Sequence, residues 1–339
     1  MHRFARIAAR VARSRRARGL TATSMASLMP YVASAAAVGL AIVLFRRRRA
    51  ETEPNACPAC CPDGALPFLP GCDYESTGSH DVALGQGMVA YITAAGSSGS
   101  WKGKPVLILI SDIFGHRSGR HSQIADFWAD STGGIAVAPD FFGGEPLATP
   151  AYGFAGLSLI KSMLWALISG KFKPWTRRVA SAVEPNLTIL CDFLKAKGVT
   201  RFALVGFCWG AYPVLKASAS PLHAALDASP RLAAAVHFHP SAAKICEIMG
   251  EDSVELARQA ASLGVPQLVR STSMEPASWQ PGGAVHMALK EKLVESDCDF
   301  GTIGAQHGFM VRATMNSAAE RSAVREGLDA LVSFCAPRL

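Results

Sequence analysis

Between residues 202 and 218 the chain reads FALVGFCWGAYPVLKAS. An apolar run suited to a buried strand ends in Gly206-Phe207-Cys208-Trp209-Gly210, and a helical pattern begins at once. No other stretch restricts the fold so tightly. A strand that becomes a helix within one sharp turn strains the backbone of the central residue and leaves no room for a Cβ on either flank. Cys208 is therefore expected to stand above a sheet edge, at the start of a helix whose free N–H groups favour an anionic sulfur. A cysteine under a strand end can also be an inert core residue. Its placement between strand and helix argues for the exposed, reactive reading.

From about residue 80 onward, short apolar runs alternate with helical patterns, which predicts an α/β fold: a single domain over 81–339, with a mostly parallel central sheet and helices on both faces. Strands are expected at 88–93, 106–110, 134–139, 202–206, 232–237, 265–270 and 299–303, and helices at 121–131, 176–198, 211–219 and 318–335. The Gly- and Ser-rich tract 94–104 suits a hairpin or strand connection. Residues 151–175 are apolar with two tryptophans, but Gly153, Gly156, Lys161 and Gly170 interrupt them, so a cap helix is expected rather than a membrane span.

The formal charge of +8 points toward nucleic acid only until it is divided along the chain. Residues 1–50 hold 11 of the 34 basic residues and none of the 26 acidic ones, so the remainder carries 23 basic against 26 acidic. Nucleic-acid binding by the body is not expected. Residues 1–23 are rich in Arg, Ala and Ser, as organelle transit peptides are, and residues 25–45 carry no charge. As a helix that uncharged stretch reaches about 31 Å, enough to cross a bilayer before Arg46, Arg47, Arg48 and Arg49. The segment thus reads as a membrane anchor or a cleaved leader, which places the catalytic domain on a membrane, in a mitochondrion or plastid, or in the cytosol if the segment is unused. Residues 51–80 form a Cys- and Pro-rich leader in which Cys57, Cys60, Cys61 and Cys72 lack the partner knuckle of a zinc site.

A thiol nucleophile needs a base, and the base in this kind of fold follows the last strand. His307, in Gly304-Ala305-Gln306-His307-Gly308, fits that place, whereas His237 and His239 flank a strand end as core or supporting groups. The base needs an acid, expected between nucleophile and base in chain order. Glu275 lies in the loop after strand 265–270, with Asp227 and Asp252 as fallbacks. Backbone N–H groups of Ile113 and Trp209 are the expected oxyanion donors.

Taken together, SDIFG, IADFWAD, APDFFGGEP, GFCWG and HGFMVR resemble the dienelactone hydrolases, or carboxymethylenebutenolidases, over roughly residues 57–339. Eukaryotic members open with a leader like Cys60–Gly64. The resemblance implies Cys208 as nucleophile, His307 as base, and oxyanion donors at Ile113 and Trp209. It also implies that Arg312 binds a substrate carboxylate, for which a guanidinium fork is well shaped. Two departures stand out: Asp112 occupies the place of a glutamate that contacts the resting thiol in bacterial members, and Glu275 replaces the usual aspartate.

The expected activity is cleavage of an ester or lactone through an acyl-enzyme, with a small-molecule substrate and no metal or organic cofactor. A monomer or weak homodimer is expected. The alternatives are a membrane-tethered binding protein that has lost catalysis, and a thioesterase or peptidase-like acyl hydrolase using the same residues.

Overall fold

A computed structural model describes residues 76–96, 99–147, 171–225, 227–313 and 315–339. The Arg-rich segment, the apolar stretch 25–45, the four leader cysteines and most of the expected cap at 151–175 lie outside the described residues. Among the described residues, no helix is long and apolar enough to cross a membrane.

The strands are β1 (Ser79–Gly85), β2 (Met88–Ile92), β3 (Val106–Ile110), β4 (Ile135–Pro139), β5 (Arg201–Phe207), β6 (Arg231–Phe238), β7 (Gln267–Ser271) and β8 (Cys298–Thr302). They form one sheet in the order β1-β2-β4-β3-β5-β6-β7-β8. The β1–β2 and β2–β4 pairs are antiparallel and all others are parallel. The helices are α1 (His121–Thr132), α2 (Phe172–Ser181), α3 (Val183–Ala196), α4 (Ala211–Ser218), α5 (Pro221–Ala224), α6 (Ala242–Met249), α7 (Ser253–Ser262), α8 (Ala284–Lys290), α9 (Phe309–Arg312) and α10 (Ala318–Cys335).

The central strands read as unbroken apolar runs because both their faces are covered. In β3, Val106, Ile108 and Ile110 enter the core that also holds Leu187, Leu190 and Leu194 of α3 and Val214 and Leu215 of α4. Leu107 and Leu109 face the opposite core, with Ile124 and Trp128 of α1 and Leu328 and Leu331 of α10. The period-2 alternation of side chains assigns each residue to one layer.

Strand β1 has no counterpart among the strands expected from the sequence. It is an edge strand with mostly exposed residues, so it lacks a two-sided apolar run. The Gln86-Gly87 turn, with φ of 48° and 82°, joins it to β2; positive φ at both central residues is what a tight type I′ hairpin demands. The helix expected over 176–198 is two helices that break at Ala182. Pro185 has no N–H with which to continue a ladder from Ser181 and is tolerated only in a first turn, so a new helix starts there. In the tract 94–104, Ala94–Gly96 form a short 3-10 turn, and buried Trp101 closes back on it by donating its indole N–H to the Gly96 carbonyl at 3.2 Å.

The chain order reverses about β3: β4 lies on one side and β5 on the other. The loops leaving β3 and β5 therefore part at their carboxyl ends, the place where open α/β sheets form a crevice.

Candidate active site

Cys208 lies in that crevice. β5 ends at Phe207, residues Cys208–Gly210 make one 3-10 turn, and α4 follows directly. Cys208 has φ of 55°, a left-handed conformation costly for any residue with a Cβ. Both flanking glycines are obligatory. A Cβ on Gly206 would stand 2.2 Å from the Gly210 carbonyl oxygen, and one on Gly210 would stand 2.2 Å from the Ile110 carbonyl oxygen. The second contact also shows how closely the end of β3 abuts the elbow, bringing the loop that carries Asp112 and Ile113 to its side.

His307 lies in the loop after β8, and its Nδ1 is 2.6 Å from Oε1 of Glu275, in the loop after β7. The Glu275 side chain is only 2 % exposed. Its second oxygen accepts from the Thr272 backbone N–H, so the carboxylate is fixed from both ends. The extra methylene of glutamate is absorbed by curling the side chain back toward its own loop. Gln280 fastens that loop, donating to the carbonyls of Thr272 (2.6 Å) and Glu275 (3.1 Å). The fallback acids lie elsewhere: Asp252 caps α7 by accepting from Val254 N–H, and Asp227 is exposed just ahead of β6, at the far end of the sheet from the elbow.

Burial of the His307 ring opposes its protonation, but interaction with Cys208 and with the Glu275 carboxylate outweighs burial and pushes its pKa up to about 10. Protonated, the ring donates from both nitrogens. The histidine and carboxylate thus form one hydrogen-bonded pair in the loops after β7 and β8.

Arg312, on α9, directs Nε and Nη2 at the two Asp112 oxygens, each at 2.7 Å, and Nη2 also donates to Ser118 Oγ at 2.6 Å. Its guanidinium lies 4.7 Å from the Phe114 ring centre. Both partners are buried, at 7 % and 4 % side-chain exposure. The fork expected to meet a substrate carboxylate already holds the carboxylate of Asp112. Trp209 is fully buried against Phe142 and near Trp175, ring centres 4.8 and 6.3 Å away. Among the described residues, no group of three His, Cys, Asp or Glu could hold a metal.

Two further groups neighbour the site: Ser241, for which the sequence predicts no role, and His239, expected from the sequence as a core or supporting group. Ser241 Oγ lies 3.4 Å from Cys208 Sγ. His239, with φ of 39°, packs edge-on against the His307 ring at 4.9 Å between centres. The signal for both is the polar tripeptide His239-Pro240-Ser241 at the carboxyl end of β6, next to β5 in the sheet.

Burial keeps three histidines neutral. It lowers the pKa of His121 and His237 to about 4 and that of His239 well below its ordinary value. The unfolded chain takes up these protons near 6.5 while the folded one does not, so stability falls as pH drops from 6.5 toward 4, by on the order of 3 kcal/mol each for His121 and His237, with His239 adding in the same direction. His307 has the opposite sign: the stability it contributes is complete below pH 6.5 and is lost as pH rises through about 10. Thermal denaturation between pH 7 and 4.5 is expected to show a steep fall in midpoint on the acid side. A flat profile would contradict the neutral, buried state of these rings.

A strand–turn–helix elbow at the carboxyl edge of a mostly parallel eight-stranded sheet, with a carboxylate after β7 bonded to a histidine after β8, defines an α/β-hydrolase. A sequence profile of the dienelactone hydrolase family matches residues 90–337, nearly three quarters of the chain. The chain belongs to this family and is, with it, a hydrolase of ester bonds. No curated protein matches in sequence. Among solved structures the chain is similar to Est1E from Butyrivibrio proteoclasticus, at 12 % identity over 76 % of this chain and 100 % of that one, TM-score 0.45. It is also similar to TT1662 from Thermus thermophilus, at 16 % identity over 76 % and 98 %, TM-score 0.43. A third likeness is to Thermogutta terrifontis esterase 2 phosphoramylated by tabun, at 13 % identity over 78 % and 98 %, TM-score 0.48.

Proposed function

We propose that this hydrolase cleaves a small carboxylic ester or lactone with Cys208 as nucleophile, His307 as proton carrier and Glu275 as the acid that orients it. The observation that carries this reading is the 2.6 Å Glu275–His307 bond beside a cysteine held at φ of 55° on the elbow. At neutral pH His307 keeps its proton, as a cationic partner for the Cys208 sulfur. The sulfur attacks the carbonyl carbon, and the oxyanion is met by the backbone N–H groups of Ile113 and Trp209. As the tetrahedral species collapses, the C–O bond to the alcohol breaks and the departing oxygen takes the His307 proton, leaving a thioester. His307, now neutral, removes a proton from water; the resulting hydroxide attacks the thioester, and the acid is released with the sulfur anion restored.

The Asp112–Arg312 pair bears on the substrate. A substrate carboxylate that sought Arg312 would have to displace an equally shaped partner in a buried site, so uncharged acyl groups are favoured over carboxylate-bearing lactones. For the Arg-rich first 50 residues the proposed part is delivery of the domain to an organelle or membrane, on their composition alone.

The direct test is to quench turnover of an activated aryl ester in acid and search for an acyl group on the protein by mass spectrometry. The adduct is expected on the peptide carrying Cys208. Turnover with the acyl group on another residue, or with none, refutes the reading.

A further inference from the structure

The turn that follows β6 brings a hydroxyl to the sulfur. Ser241 Oγ lies 3.4 Å from Cys208 Sγ, and the Ser241 backbone N–H donates to the Cys208 carbonyl at 2.9 Å, so side chain and main chain both grip the elbow.

What the hydroxyl forgoes is informative. Ser241 is the residue ahead of α6, where a serine ordinarily accepts from the N–H groups of the first helical turn and so stabilises the helix. Here the side chain makes no such bond, and the backbone, at φ of −102° and ψ of 14°, is not the extended one that capping uses. The serine has its capping position without its capping role. Its hydroxyl is turned toward the nucleophile instead.

Asp112 leaves the task open. Its carboxylate is held by Arg312 and also accepts from the Phe114 N–H, so it is bound away from the thiol. In the same turn, His239 buries an imidazole that burial keeps uncharged against His307. The one polar group that the β6 turn offers the sulfur is the Ser241 hydroxyl.

We infer that Ser241 is a further catalytic residue, donating its hydroxyl proton to the Cys208 sulfur anion; this rests on Cys208 being the nucleophile. Hydrogen bonds to charged groups are stronger than those between neutral ones, so the donation favours the anion over the protonated thiol. Once the sulfur is acylated its charge is gone and the bond weakens. It forms again as the thioester breaks, so Ser241 assists the departure of the sulfur in the second half of the cycle, while His307 handles the protons of alcohol and water.

The test is the rate at which Cys208 is alkylated by iodoacetamide across pH, located by peptide mass, in the full chain and in Ser241→Ala, Ser241→Gly and Ser241→Thr. Loss of the hydroxyl is expected to slow alkylation at neutral pH by about tenfold, move the rising limb of the profile to higher pH, and slow release of a trapped acyl group. Threonine, which keeps the hydroxyl, is expected to restore most of the rate. Because no capping bond is lost, the thermal midpoint of the Ala and Gly variants should stay within about 2 °C of the parent. If alkylation matches the parent in both the Ala and Gly variants, or if the midpoint drops while reactivity is unchanged, Ser241 is structural and the inference fails. Those outcomes leave the nucleophile untouched, whereas a parent protein whose Cys208 is unreactive while turnover continues defeats the nucleophile reading itself. Glycine is tolerated ahead of a helix, so one variant remains measurable if alanine impairs folding.

Discussion

Replacing Cys208 with alanine is expected to lower kcat/KM for an aryl ester by on the order of 10⁴-fold or more, with the fold intact. In the proposed mechanism the sulfur supplies the covalent step, and Ser241, 3.4 Å away and held by its own backbone bond to Cys208, is not placed to substitute for it. A small residual rate is expected from the backbone donors at Ile113 and Trp209. The same position carries a stability prediction of opposite sense. At φ of 55° a glycine is relaxed where any Cβ is strained, so Cys208→Gly should be more stable than Cys208→Ala by about 1 kcal/mol in urea. Activity in Cys208→Ala above about a tenth of the parent would show that the chemistry lies elsewhere.

Removing Asp112 is expected to be the most damaging single change outside the elbow, at about 3 to 5 kcal/mol for Asp112→Ala. The pair is almost sealed from water, and Arg312 would keep only Ser118 as partner for a buried charge. In a domain of this size that corresponds to a thermal midpoint lower by about 10 °C. The damage should spread to catalysis, because the pair ties the loop after β3, which carries Ile113, to α9, which begins two residues after His307. The double variant Asp112→Leu with Arg312→Met removes both charges and should recover most of the lost stability. If Asp112→Ala and the double variant are equally stable in urea, the buried charge is not what the pair compensates.

The parts legible in the sequence were those with local signals. Strands buried on both faces announce themselves as apolar runs, so β2 to β7 fall within a residue or two of expectation; β8 does so too, although it is a half-buried edge strand. The elbow is legible because sterics dictate glycine at 206 and 210. Glu275 and His307, 32 residues apart, could be named because the loops after adjacent parallel strands are neighbours. β1 went unread because an exposed edge strand looks like a loop, and the break at Ala182 because a single proline is easily absorbed into a long helical pattern. The Asp112–Arg312 pairing spans 200 residues and has no local signature at all. Ser241 was hidden for a different reason: a serine before a helix already has an ordinary explanation, and only the direction of its hydroxyl sets that explanation aside.

The groups of the proposed site hang from the carboxyl ends of β3, β5, β6, β7 and β8, so among the described residues none of them lies on the opposite rim of the sheet. There the chain enters β4, β5 and β7 through the exposed glycines Gly133, Gly198 and Gly264, each in a left-handed turn about one strand length, some 17 Å, from the chemistry. That rim is the natural place to splice in a reporter domain, an affinity handle or a surface linker for immobilisation, leaving the mouth of the crevice open to substrate.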